Sequence, residues 1–287
     1  MRSHFLVCPF NENLLSKLHG KSVVVRLNGI EKISAAVDTV TKHQAHLHCL
    51  LLETQTPVAA IPFQENWRDI PLALYASSLG RFPDFVRQAP TLRQLNIRIY
   101  LPLDHEENYT SFRILSSLGI ESAVEFKGKN IKWELITDLM TYALLGLIIH
   151  APIAPFNYVA SHYDRQSRND YGAVYFEDPY TYLHLDDEGR VALSRADLTA
   201  GKFVAQDIDD VDDINGSEEF RERVEGWRNF FLKADGCAYC QGWRVCLGKY
   251  SDTMKSNPGC MEFFAEFMDS LEKYKAIKKR EKIIWQP

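Results

Sequence analysis

No apolar run in the sequence is long enough to cross a bilayer. The most apolar stretch, LMTYALLGLIIHAPIAP at residues 139–155, carries His150 and breaks at Pro152 and Pro155. It reads as a buried helix entering a loop. The first residues, MRSHFLVCPFNENLLSKLHGK, have no uninterrupted apolar core and no small-residue cleavage site, so no secretory signal is expected. A large excess of either charge is also missing. A net charge of -5 on 287 residues argues against a phosphate-binding surface spread over the molecule, and neither nucleic acid nor a membrane is expected as a partner. Cysteine is scarce, with six in the whole chain. A cytoplasmic, reducing setting is the expectation, and there closely spaced cysteines bind metal or do redox chemistry more often than they form structural disulfides.

What remains is ordinary for a globular α/β protein, 46% hydrophobic and 25% charged. The first half alternates strands with helices. KSVVVRL (21–27), AHLHCLLLE (45–53), LNIRIYLPL (95–103) and IESAVEF (120–126) are strand-like. EKISAAVDTVTKHQ, segments around 66–78 and 81–89, ENYTSFRILSSLG and IKWELITDLMTYALLGLIIH are read as helices, with Gly119 ending the fourth. Such alternation implies right-handed crossovers and a mainly parallel sheet. About four units are too few for a closed eight-fold barrel, so an open or partial (β/α) barrel over residues 1–165 is expected.

The pattern changes after residue 156. YLHLDDEGRVALS reads as a β-hairpin about the turn DDEG. SEEFRERVEGWRNFFLK is an amphipathic helix carrying Phe220, Val224, Trp227 and Phe231, with Ser217 as its N-cap. CMEFFAEFMDSLEKYKAIKKREK is another, with Phe264, Phe267, Leu271 and Tyr274 on one face. A second, small α+β domain over residues 166–287 follows from this change.

Three cysteines fall within CAYCQGWRVCLGKY, residues 237–250, and Cys260 follows the last of them, Cys246, after thirteen intervening residues. The C-x2-C spacing of Cys237 and Cys240 lets one tight turn aim two thiolates at a metal. Cys246 can return to the same centre, and Pro258-Gly259 turns the chain before Cys260. Four thiolates suit either one iron–sulfur cluster or one zinc ion. Cys8 and Cys49 instead read as small buried hydrophobes. In the strand HLHC, His46 and His48 share one face and Cys49 the other. The acidic run DIDDVDDIN (207–215) reads as a solvated loop and the basic tail YKAIKKREK as an exposed helix end. His150, His162 and Asp164 have no spacing that makes them a catalytic set, and no nucleophile or general base is named.

C-x2-C-x5-C with a later cysteine resembles the SPASM domain, the cluster-binding extension of many radical SAM peptide-modifying enzymes. The hairpin DDEGRVALS and the helix SEEFRERVEGWRNFF sit where that family places its opening hairpin and connecting helix, so the resemblance covers roughly residues 183–268. It implies that Cys237, Cys240, Cys246 and Cys260 hold one 4Fe-4S cluster, with zinc as the alternative. The family's second cluster would need cysteines before the hairpin, five positions after Gly189 and four after Cys246. Those last two positions are Ser194 and Tyr250, and residues 165–188 contain no cysteine. The C-x3-C-x2-C triplet of the radical SAM centre is missing too, since residues 1–165 contain only Cys8 and Cys49. The implied protein is a pseudo-radical-SAM protein that uses no S-adenosylmethionine. It would be a binding or scaffold subunit working with a precursor peptide or an active maturase in ribosomal peptide maturation. The alternatives are a redox partner or maturase enzyme passing electrons through its single cluster, and a zinc-stabilised interaction protein.

Overall fold

The computed structural model describes residues 4–126, 131–164, 168–233, 236–250 and 259–284, with the side chains of 210–213 and 280–284 outside the description. Its strands are β1 (Phe5–Pro9), β2 (Ser22–Leu27), β3 (His46–Glu53), β4 (Leu72–Tyr75), β5 (Ile97–Pro102), β6 (Glu121–Glu125), β7 (Ile153–Ala154), β8 (Tyr182–Leu185) and β9 (Val191–Ala192). The helices are α1 (Glu12–Ser16), α2 (Ile33–Lys42), α3 (Phe82–Leu92), α4 (Glu106–Ser117), α5 (Trp133–Leu145), α6 (Phe156–His162), α7 (Arg195–Thr199), α8 (Glu218–Glu225), α9 (Arg228–Leu232), α10 (Trp243–Cys246) and α11 (Gly259–Ile284). The fold is α/β, with a nine-stranded, mostly parallel sheet in the order β7-β6-β5-β4-β3-β2-β1-β8-β9. Strands β1 to β7 follow one another across the sheet in chain order, joined by helices except between β3 and β4, where two 3-10 turns make the connection. The chain then returns to lay β8 beside β1, parallel to it.

Residues cluster into two compact units. One holds the chain up to Ile99 together with Gly172–Gly226, the other Tyr100–Tyr171 together with the chain from Trp227 onward. In the first unit β1 to β4 and β8 are parallel neighbours. The runs LVC, VVV and CLLL are buried, as a sheet covered on both faces requires. Helix α2 lays Ile33, Ala36 and Val40 inward at helical spacing. The hairpin forms as the sequence suggests: β8 and β9 are antiparallel, Gly189 takes φ +94°, and Asp186 accepts the backbone N–H groups of Glu188 and Arg190 at 3.1 and 2.9 Å. Glycine suits that position because an L side chain would be strained there.

In the second unit the core is aromatic. Helix α11 buries Phe263, Phe264, Phe267 and Leu271 against α5 and α6: Phe263 stacks on Trp133 at 5.3 Å and Phe267 meets Phe156 edge-on at 5.8 Å. Tyr274 lies half-buried on the same side.

Three local expectations change, and one strand is new. The segment 66–78, read as helical, is a short 3-10 turn followed by strand β4, because LALY is buried almost throughout and four apolar residues carry no period of their own. FLVCP, not assigned beforehand, is β1, flanked by β2 and β8. Helix α5 stops at Leu145, ahead of Gly146, and leaves Leu147, Ile148 and Ile149 exposed. The helix expected over 217–233 breaks at Gly226 into α8 and α9, where glycine costs helix stability. Gly119 (φ +80°) and Ser217 act as expected, the first after the end of α4 and the second accepting the Phe220 N–H at 3.1 Å.

Candidate metal centre

The segment around the clustered cysteines folds as a series of tight turns. A 3-10 turn spans Gly236–Tyr239, and the Cys240 N–H bonds the Cys237 carbonyl at 3.2 Å, closing the C-x2-C loop. Helix α10 follows, with Gly242 as its N-cap and Leu247 and Gly248 beyond its end at φ +52° and +76°. Close packing explains two of the glycines. A Cβ on Gly242 would stand 2.6 Å from the Cβ of Phe264 in α11, and one on Gly248 would strike the Phe230 ring. Aromatic contacts fix the rim: Trp243 stacks on Trp227 at 4.8 Å, and Tyr250 sits 5.2 Å from Trp133. Cys260 lies in the first turn of α11.

Cys237 and Cys260 are buried, Cys240 and Cys246 partly exposed, and none of the six cysteines is in a disulfide. Burial raises the Cys240 thiol above its ordinary range, while the Gly242 amide turned toward the sulfur pulls the other way. Cys246 is pushed up to about 12, chiefly by burial and also by the charge of Cys240, against the backbone amides of Tyr250, Lys249 and Gly248. Cys260 is raised by burial and by Cys240. Cys240 is therefore close enough to Cys246 and Cys260 for each to feel its charge. Backbone N–H groups aimed at the sulfurs are what a thiolate needs once a cation replaces the proton. The donor set thus fits a thiophilic metal or cluster in its chemistry. Among the described residues no three His, Cys, Asp or Glu side chains are gathered at ligating distance.

The remaining candidates lie elsewhere. Cys8 and Cys49 are buried in β1 and β3, and burial pushes both thiols to about 12. They behave as small apolar side chains. His46 and His48 are exposed on β3 beside buried Cys49. His150 stacks on Tyr142 at 4.9 Å, and His162 bonds the Tyr158 carbonyl at 2.8 Å; both contacts are local. Asp207 caps a 3-10 turn by accepting the Asp209 N–H, while the side chains of Asp210, Asp212 and Asp213 fall outside the described residues. No described helix is long and apolar enough to cross a membrane.

Ser194 and Tyr250 have structural partners of their own. Ser194 caps α7 by accepting the Asp197 N–H at 3.1 Å, and it also accepts from Arg223 at 2.6 Å. Tyr250 is buried among Phe126, Trp133, Tyr171 and Phe264.

A group that sequence reading missed gathers at the carboxyl ends of the parallel strands of the first unit. Register places Val7, Val24, Cys49 and His184 in one row across β1, β2, β3 and β8. Two residues farther along, Arg26 pairs with Leu51, and Glu53 follows on the same face. Arg195 forms a two-pronged ion pair with Glu53, and Arg223 pairs with Asp197. No local spacing signals this group, because its members are far apart in sequence. No protein-family model, no curated protein and no solved structure matches the chain.

Proposed function

We propose that the chain is a SPASM-like, non-radical protein that binds one auxiliary iron–sulfur cluster through Cys237, Cys240, Cys246 and Cys260 and serves as a binding or scaffold subunit in ribosomal peptide maturation. The reading takes residues 1–165 as a partial (β/α) barrel stripped of its radical centre and 166–287 as the cluster-binding domain. The observation that carries it is the closed turn of the C-x2-C loop, with the Cys240 N–H bonding the Cys237 carbonyl at 3.2 Å, on a motif whose spacing is that of metal-ligand loops; the charge of Cys240 also reaches Cys246 and Cys260. When bound, a four-thiolate cluster supplies electron transfer or a cross-link, with no open iron for substrate.

The protein's own part is to hold the cysteine loop. The N–H groups of Gly242, Gly248, Lys249 and Tyr250 would compensate the thiolate charge, and Gly242 and Gly248 allow the loop to press on Phe264 and Phe230. The scaffold role is tested with metal-loaded protein and a precursor peptide encoded beside it, followed by fluorescence anisotropy. Saturable binding that is the same before and after reduction supports the role. Absence of binding overturns it, and modification of the peptide by this chain alone would make the protein an enzyme.

A further inference from the structure

At the carboxyl ends of β1, β2, β3 and β8, most of the charge is already paired. Arg195 is held by Glu53, Arg223 by Asp197 and Ser194, and Arg190 by Asp186 and Glu188. Arg26 is different. Its guanidinium is partly buried and, among the described residues, has no ion-pair partner in contact; the carboxylates of Glu53 and Asp187 act on it only from farther away. It reaches over the end of β1 to donate one hydrogen bond to the Leu185 carbonyl at 3.3 Å, while its Nε is buried without a partner. A guanidinium carries five N–H donors, and a partly desolvated cation without an anion in contact is costly.

The residue before Leu185 is His184, with its side chain 3% exposed. Its Nε2 lies 2.9 Å from the Phe176 carbonyl. A carbonyl only accepts, so Nε2 carries the hydrogen and the neutral ring presents Nδ1 as an acceptor. That Nδ1 is buried and has no partner among the described residues. Burial holds the ring neutral, with its pKa lowered to about 4; Arg26 and Arg195 push the same way, and the Phe176 carbonyl and Asp197 oppose. Glu177 stands 3.9 Å from Nε2, on the side already used.

We propose that this end of the sheet is a binding site for a small oxyanion that carries its own hydroxyl hydrogen, with Arg26 binding the negative oxygen and His184 Nδ1 accepting the hydroxyl proton. Strand ends of parallel α/β sheets are where ligands bind, and two buried atoms of opposite hydrogen-bonding sense, Arg26 Nε and His184 Nδ1, lack partners there on the two strands that flank β1, near enough for the Arg26 charge to act on His184. Hydrogen phosphate and α-hydroxy acids share this chemistry. Sulfate and acetate have the charge but no hydroxyl, and would set a bare oxygen against the Nδ1 lone pair. The Arg195–Glu53 and Arg223–Asp197 pairs belong to the surroundings and leave Arg26 as the cation to be neutralised. The site uses none of the four clustered cysteines, so it stands or falls separately from the metal centre.

The test is isothermal titration of the full chain with inorganic phosphate, sulfate, glycolate and acetate at pH 7.5 and constant ionic strength. Saturable binding of phosphate or glycolate, about tenfold or more tighter than its hydroxyl-free counterpart, is expected, a ratio that corresponds to one hydrogen bond. Preference for phosphate identifies a phosphate ligand, and preference for glycolate a hydroxy acid. Arg26→Gln should weaken binding at least about tenfold, the loss of a charge-assisted contact. The ¹⁵N resonance of His184 Nδ1 in the unsubstituted protein provides a readout that needs no variant, and it should shift on titration with the preferred ligand. Equal, unsaturable responses to all four anions, a silent His184 resonance, or full binding by folded Arg26→Gln would overturn the proposal.

Discussion

Gly242 sits between Cys240 and Cys246 at the point where the cysteine loop presses on α11, and Gly242→Ala tests whether that approach holds the loop. Its backbone lies at φ −86°, ψ 8°, which alanine accepts, so any effect is steric. An added Cβ would stand 2.6 Å from Phe264 Cβ and Cδ1 and 2.7 Å from Cγ. Phe264 cannot swing aside easily, because it is 3% exposed and contacts Phe263 at 4.9 Å. Reaching the 3.4 Å where ordinary contact begins requires about 0.8 Å of movement. Overpacking of this kind costs about 1–3 kcal/mol. The same displacement moves Cys240 and Cys246 relative to Cys260 in α11, so metal affinity should fall as well. Urea unfolding followed by the fluorescence of Trp133, Trp227 and Trp243 reads the first effect, and competition with a chelator reads the second. Gly216→Ala is the control, since nothing lies within 4 Å of its added Cβ; a surface change of this kind stays within about 0.5 kcal/mol. If Gly242→Ala unfolds at the same urea concentration as Gly216→Ala and holds metal equally well, the loop is not seated on α11 as described.

His184 makes stability depend on pH on the acid side. Its folded pKa of about 4 lies below the ordinary 6.5, so between those values the unfolded chain takes up a proton that the folded chain refuses. The contribution is complete above pH 6.5 and is lost as pH falls toward 4, about 3 kcal/mol in all. Urea unfolding from pH 7 to 4.5 should show a slope that His184→Gln flattens; an unchanged slope refutes it. Metal binding should run the opposite way to proton binding, because burial keeps the thiols of Cys240, Cys246 and Cys260 protonated, helped at Cys246 and Cys260 by repulsion from Cys240. Binding should therefore strengthen as pH rises from 6 to 8 and release protons into a weakly buffered solution, and pH-independent affinity would remove these thiols from the ligand set. Phe267→Ala, at 2% exposure between Phe263 and Phe156, should cost about 3–5 kcal/mol in the same urea assay, and a loss below about 1 kcal/mol would show that the α11 core is loosely packed.

The parts of the fold legible beforehand were those with a local cause. VVVRL and IRIYL are rich in β-branched residues, Gly119 ends a helix, Ser217 starts one, and DDEG turns a hairpin, each within a few residues. LALY failed because four apolar residues suit a strand or a helix turn equally, and the sheet decided between them. The break at Gly226 was masked by apolar residues that keep helical spacing on both sides of it. At the metal centre the cysteine spacing was visible, but the amides facing Cys240 and Cys246 come from the backbone and leave no mark in residue identity. Arg26 and His184 were invisible for another reason: register across β1 joins segments that the chain keeps far apart.

The most direct measurement is the iron, sulfide and zinc content, with the visible spectrum, of protein purified without oxygen, alongside the Cys240→Ser variant. The expected result is a brown protein with about four irons and four sulfides per chain, lost in the variant together with stability. A colourless protein carrying about one zinc would keep the ligands and contradict the cluster. Metal-free protein, or metal content unchanged in Cys240→Ser, would contradict the centre altogether.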